Sequence, residues 1–496
     1  MPAGFRGVNA GALAGAPPMS PLARSLAGFM PATIVSAIVA IASISVFTRL
    51  LTPEQFGYYN LSFTAVLIVQ ACVFNALSSS VVRLLPGAQK DGTGDPLLKA
   101  AFVILGSLAL AVVLVASAIL ASGLVHPALM PTAVLAVPLL VTRAIAGINQ
   151  AVNRIEKRPG RFSLVEVCQS VVALAAGYAL VVTFEPTGTS VMLGMLVGST
   201  VSITLNAGNI RRAFASPSID RPAAREILRF AAPLMLALGA AVALQYADRF
   251  IVAHYGDIAS VAIYAVAFAL IDRPLGLVCT AINTTMFPTA VRLLEQKGAE
   301  AAQRQLATTA TVLLALLVPA CAGLVLASVP LVHVLVGEAY RDGVTALMPV
   351  MSLGLLLRAF TTHFLNHALH LAKRSDLMLW INVAALVVNI GADLVVVPRH
   401  GVMGAAVVAT ASFGAVAIAT WLIGRRVFSY ALPFLEIGRI VAATACMAGA
   451  ILALDFERSV TGLVLLILCG VSVYGLAGLA LNVGGSRDRV RARLRR

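Results

Sequence analysis

The sequence predicts an all-α integral membrane protein of about 14 transmembrane helices, and three observations carry that expectation. Charged residues are only 11% of the 496-residue chain and hydrophobic ones 59%, where an ordinary globular protein has roughly 25% charged residues. The apolar residues fall in blocks of about 20, the length that crosses a bilayer as a helix. Lys and Arg crowd into every second break between blocks, which is the mark of membrane topology. Soluble enzymes, disordered chains and nucleic-acid binders are thereby excluded, and the net charge of +15 reads as topology, with no nucleic-acid partner.

Taken in order, residues 1–25 are rich in Gly, Ala and Pro and hold no continuous apolar run, so they read as a flexible cytoplasmic lead. The first apolar block, 27–47, follows Arg24 and doubles as the insertion signal. Further blocks lie at 58–81, 99–122, 128–151, 163–184, 188–210, 228–254, 258–289, 306–336, 343–370, 376–397, 401–424, 433–454 and 460–482. The seventh to tenth carry polar residues mid-span, and all connecting loops are short. With the N-terminus cytoplasmic, the opposite face keeps only Arg49, Arg341, Arg399 and Arg458, while Arg143, Arg249, Arg273 and Arg358 lie within spans. All the remaining Lys and Arg of the 36 fall on the inner face. One helix more or fewer would mix the two sides, so the pattern supports an even number with both termini inside.

A faint repeat runs through the chain. Phe29-Met30-Pro31 opens the first helix and Phe230-Ala231-Ala232-Pro233 the seventh. Val82-Arg83-Leu84-Leu85 closes the second, and Val291-Arg292-Leu293-Leu294 the eighth. Six helices between equivalent positions make the halves parallel, with a substrate site between them. The expected organisation is a six-helix lobe at 26–213, a second at 224–426, an additional helix pair at 433–483 and a basic cytoplasmic tail at 484–496.

Motifs for catalysis are missing: there is no P-loop, HExxH, GxSxG or dinucleotide fingerprint. Cys72, Cys168, Cys279, Cys321, Cys446 and Cys469 are scattered through apolar stretches and read as packing residues. What remains is charge inside spans, which costs about 2.5–3.5 kcal/mol at a helix centre and therefore faces a partner or water. Asp248-Arg249 lies toward the outer end of the seventh helix. Asp272-Arg273 precedes Pro274, which should kink the eighth helix. Neighbours point about 100° apart on a helix, so neither pair need be internal. These groups read either as interhelical ion pairs or as the lining of a cationic, water-filled cavity suited to phosphate. His363, His367 and His370 form a helical stripe that reads as a polar face or as a metal or proton site. Asn382, Asn389 and Asp393 read as polar glue or as a coupling-ion contact.

Three pieces together carry a family resemblance. Val46-Phe47-Thr48-Arg49-Leu50-Leu51-Thr52-Pro53-Glu54-Gln55-Phe56-Gly57-Tyr58-Tyr59 resembles the end of the first helix in polysaccharide transporters. These are the Wzx-like O-antigen and exopolysaccharide flippases of the multidrug/oligosaccharidyl-lipid/polysaccharide (MOP) superfamily. Asp248-Arg249-Phe250, Tyr264-Ala265-Val266-Ala267 and Phe287-Pro288 resemble the family's seventh and eighth helices. Pro319 to Gly323 and Gly337-Glu338-Ala339-Tyr340 resemble its ninth helix and the following loop. The resemblance implies two six-helix lobes in a V and alternating-access movement of an undecaprenyl-diphosphate-linked oligosaccharide across the bacterial inner membrane. It implies that cavity cations hold the diphosphate: Arg249, Arg273 and Arg358 first, Arg49 and Arg143 after them. Coupling to H+ or Na+ would fall to Asp248, Asp272 or Asp393, with no bound cofactor. A polysaccharide polymerase and other assembly proteins are the expected partners. The rival readings are a multidrug or peptidoglycan-precursor (lipid II) exporter of the same superfamily, a membrane polymerase or ligase, and a non-transporting assembly scaffold.

Overall fold

The computed structural model describes residues 21–217, 219–488 and 491. Among the described residues there are helices and no strands. Long helices run Pro21–Leu50 (α1), Pro53–Lys90 (α2), Gly94–Ala121 (α3), Met130–Ile155 (α4), Pro159–Thr183 (α5) and Gly188–Leu205 (α6). They continue with Arg221–Tyr246 (α7), Ile258–Lys297 (α8), Ala299–Leu326 (α9) and Glu338–Leu371 (α10). The next helical run, Ser375–Val427, has 53 residues, about 80 Å at 1.5 Å per residue and far beyond one bilayer of ~30 Å. It breaks at Gly401, whose φ of 57° and ψ of −146° leave helical space and suit a residue without Cβ. The run is thus two spans, α11 (375–400) and α12 (402–427). Phe434–Ala453 (α13) and Val460–Ala480 (α14) complete the set.

Local chemistry sets the starts. Thr52 accepts from the Gln55 amide and Pro53 occupies the first turn of α2, a cap and a proline that satisfy or remove otherwise orphan donors. Asp257 caps α8 by accepting from the Ser260 amide at 2.5 Å, and Ser459 caps α14 by accepting from the Gly462 amide at 3.0 Å. Helix α2 passes through a π-helical segment, Gln70–Asn75, and α10 through another, Thr361–Leu365; each re-aims the side chains beyond it.

Two boundaries differ from the sequence expectation. Residues 21–25 belong to α1 and not to a flexible lead: Pro21 is tolerated at a first turn, and Leu22-Ala23-Arg24-Ser25 holds no helix breaker. Residues 1–20, and most of the basic tail expected at 484–496, lie outside the described residues; its first part continues as a 3-10 turn, Val483–Gly485. Pro274 lies inside α8 without interrupting it.

One apolar core joins the junction of α1 and α2 (Phe47, Leu51, Phe56) to α8 and α10 (Tyr264, Val266, Tyr340). A second gathers Phe74, Leu77, Phe102 and Ile148 of α2–α4 with Ile227 of α7. The last two helices pack on α9, where the Tyr474 hydroxyl donates to the Ala315 carbonyl at 2.6 Å. Many apolar side chains on outward faces remain exposed, including Leu110, Val388 and Leu468, as lipid-facing surfaces require.

Candidate functional site

At the arginine-poor end, α1 and α2 close against the second half of the chain. The Gly337 amide donates to Thr48 Oγ1 at 3.0 Å, the Tyr340 hydroxyl to the Leu51 carbonyl at 3.0 Å, and Arg49 Nη2 to the Val334 carbonyl at 2.5 Å. A Cβ on Gly337 would stand 1.9 Å from the Thr48 carbonyl oxygen, so only glycine permits this approach.

Below that closure a cavity of about 340 Å³ opens between α1, α4, α5 and α8. It runs from Asp272 and Arg273 at mid-span to Arg154 and Phe162 at the arginine-rich end, with Ser36 and Glu166 on its walls. Arg273 is exposed there and makes no side-chain hydrogen bond or ion pair among the described residues. The Tyr59 hydroxyl stands within electrostatic reach of Arg143, Arg249 and Arg273. Tyr246 likewise stands near Arg249, Asp272, Arg273 and Arg358. Four of the five candidate arginines therefore share one neighbourhood, and Arg49 is apart from them, on the closed end.

Their partners differ. Arg143 Nε donates to Gln70 Oε1 at 3.0 Å and lies 5.4 Å over the Phe63 ring. Arg358 forms an ion pair with Asp272, reaches Gln245 Oε1 at 3.3 Å and lies 5.9 Å over Phe268. Arg249 is buried, donates to Thr64 Oγ1 at 3.1 Å and sits between Tyr246 and Phe268 at 4.8 and 5.4 Å, positions in which rings stabilise a cation. Asp272 pairs across to α10 and not with Arg273, an arrangement that the 100° offset between helical neighbours allows.

The candidate ion carriers separate in the same way. Asp272 is held by Arg358. Asp248 accepts from the Tyr264 hydroxyl and keeps its Oδ1 unpartnered. Asp393 is 0% exposed with neither carboxylate oxygen partnered, and it interacts electrostatically with Asp248. Nearby on α11, Asn389 donates to Ser412 at 3.2 Å and leaves its own Oδ1 free. Two neighbouring buried carboxylates, of which only Asp248 has a cation, Arg249, within electrostatic reach, are costly, and a bound monovalent cation or a shared proton would relieve them. No cluster of three His, Cys, Asp or Glu suited to a metal occurs among the described residues. The histidine stripe faces α8: His367 stacks on Phe287 at 4.5 Å, His370 meets the same ring edge-on, and His363 approaches Asn283 at 3.4 Å.

Sequence reasoning missed Gln70, Tyr59, Glu166, Arg154 and Phe162. Gln70 and Glu166 had a signal, each being an isolated strongly polar residue inside an apolar block.

Helices of this length and apolar composition, closed at one end over a polar cavity, define a multi-pass membrane protein. The fold is similar to a structure of the lipid II flippase MurJ in an inward closed conformation, with a TM-score of 0.77 at 15% identity over 93% of this chain and 99% of that one. An inward-facing multidrug resistance MATE family transporter gives 0.64 at 13% identity over 83% and 96%. A MOP superfamily transporter from Pyrococcus furiosus, described as having a binding pocket of reverse polarity, gives 0.59 at 15% identity over 85% and 96%. Residues 46–345 match the family of polysaccharide biosynthesis proteins, and the chain belongs to that family. No curated protein matches it significantly.

Proposed function

We propose that the protein is a flippase that carries an undecaprenyl-diphosphate-linked oligosaccharide across the bacterial inner membrane for surface polysaccharide synthesis. The observation that carries this reading is Arg273, unpaired and exposed in a cavity closed at its outer end, with Arg143 close by. The diphosphate and glycan enter from the arginine-rich, cytoplasmic side while the prenyl tail stays in lipid. Guanidinium groups replace the lost hydration of the phosphates, and parting of the Gly337–Thr48 and Tyr340–Leu51 contacts opens the outer end. Asp248 and Asp393 bind or release H+ or Na+ as the lobes rock. Both termini are cytoplasmic, and a polymerase receives the cargo outside.

Deleting the gene and treating cells with a membrane-impermeant glycan-modifying enzyme tests this. Complete lipid-linked repeat units trapped on the cytoplasmic face, with surface polymer lost, are expected; units reaching the outer face normally would overturn it. A second reading, export of the peptidoglycan precursor, is favoured by the likeness to MurJ along 99% of that chain. It predicts lysis on depletion, where the first reading predicts growth without surface polymer. A drug exporter is less well supported, because cationic drugs call for acidic or aromatic walls and aromatics are only 6% of this chain. A polymerase or ligase would need a large outer loop.

A further inference from the structure

The topology leaves very few cations at the outer end, yet two of them share a cavity far from the central one. A space of about 410 Å³ lies between the short helix Ser328–Leu335, the start of α10 and the loop joining α13 to α14. Its walls include Val329, His333, Arg341, Asp342, Thr345 and Arg458. The volume falls within the ~300–1,000 Å³ of sites that take small molecules.

The two arginines are set differently. Arg341 is fixed: Nε donates to the Val336 carbonyl and Nη2 to the His333 carbonyl, each at 3.2 Å. That leaves Nη1 uncommitted. Arg458 stands exposed on the loop with no hydrogen bond or ion pair among the described residues. Arg49 also reaches this short helix through the Val334 carbonyl, so three of the four outer-face arginines gather round it. Arg399 alone lies elsewhere. Arginine at the outer end runs against the charge bias that sets topology, and neither Asp342 nor any other described carboxylate pairs with Arg458. Two guanidinium groups facing one cavity suit a phosphate group, which their planar forks bind through two parallel hydrogen bonds. Thr345 and His333 supply further polar atoms. Val329 on the rim is 41% exposed and Val460, just past the loop, 63%, so the cavity opens beside lipid-facing apolar surface.

We propose that this cavity is a phosphate-binding site at the outer membrane interface, filled by the headgroup of a phospholipid that bridges α10 to the α13–α14 pair. Arg341 is the preset half of the site, and Arg458 closes over the headgroup from the loop. The site is independent of the cargo and of the central cavity.

The test is native mass spectrometry of the full-length protein in detergent, with added phosphatidylglycerol, diacylglycerol or inorganic phosphate. The intact protein is expected to retain one phosphatidylglycerol at least 10-fold better than diacylglycerol. Arg458→Gln should reduce that retention about 10-fold, while Arg399→Gln, at the other outer arginine, leaves it unchanged. Arg458→Gln touches no packed residue, so a folding defect will not imitate the loss. Equal retention by Arg458→Gln and the unaltered protein, or equal retention of both lipids, overturns the proposal. Retention of inorganic phosphate with no preference for the lipid keeps the phosphate chemistry and overturns the lipid as its source.

Discussion

Arg143 on α4 donates to Gln70 on α2 and lies over Phe63, while Arg358 on α10 pairs with Asp272 on α8 and lies over Phe268. The matching positions are 215, 202 and 205 residues apart, close to the spacing of the faint repeat in the chain. Each half of the molecule thus places an arginine from its fourth helix on an oxygen and a ring of its second. The acceptor makes the difference. An amide leaves Arg143 with no ion-pair partner, Glu166 reaching it only at longer range, whereas a carboxylate pairs directly with Arg358. With Arg273 unpaired nearby, the proposed function assigns the attraction of an anion to Arg143 and Arg273, and the ion pair of Arg358 with Asp272 joins α10 to α8.

Arg143→Ala is the sharpest way to break this comparison. A charge-assisted hydrogen bond is worth about 1.5–3 kcal/mol, so export should fall about 10- to 100-fold with little change in melting temperature. Surface polymer measured in complemented deletion cells at matched protein levels reads this, and undiminished polymer would remove the first half from anion handling. Arg358→Ala should instead strand a half-buried carboxylate. The expected loss of stability is about 2 kcal/mol, below the 3–5 kcal/mol of a fully buried pair. Adding Asp272→Ala should restore most of it, which thermal unfolding in detergent would show; a double variant as unstable as the single one contradicts that pairing.

Gln70→Glu makes the first half resemble the second. It should lower export about 10-fold by neutralising Arg143 while leaving stability equal or higher, and unchanged export would mean that the missing ion-pair partner is irrelevant. The smallest effect belongs to the rings. Phe63→Leu removes a cation–π contact of about 0.5–1 kcal/mol, expected as a two- to fivefold loss of export; a larger drop would assign Phe63 a direct contact with cargo.

Much of this was legible beforehand. Apolar blocks of spanning length located the long helices, and the arginines inside them stood out because charge in a span is costly unless served. The separation of Arg49 from the arginines within spans was legible, but its partner was not: Thr48-Arg49-Leu50-Leu51-Thr52-Pro53 encodes a helix end and the cap of the next helix, and only the approach of Gly337 and Val334 shows Arg49 fastening the closed end. Nor was the histidine stripe decidable from its spacing, since its partner ring, Phe287, lies on α8 about 80 residues away. Asp393 could be seen as polar, but its burial near Asp248 could not.

By itself the sequence located the apolar spans and sorted the breaks between them into an arginine-rich and an arginine-poor set, because hydrophobic length and the Lys/Arg bias act locally along the chain. It also determined that ionisable groups inside the spans need partners. Tertiary structure alone decided which arginine pairs with a carboxylate and which does not. Compensation acts over a few ångströms, and those distances arise between α2 and α4 or α8 and α10, whose partners are 73 and 86 residues apart.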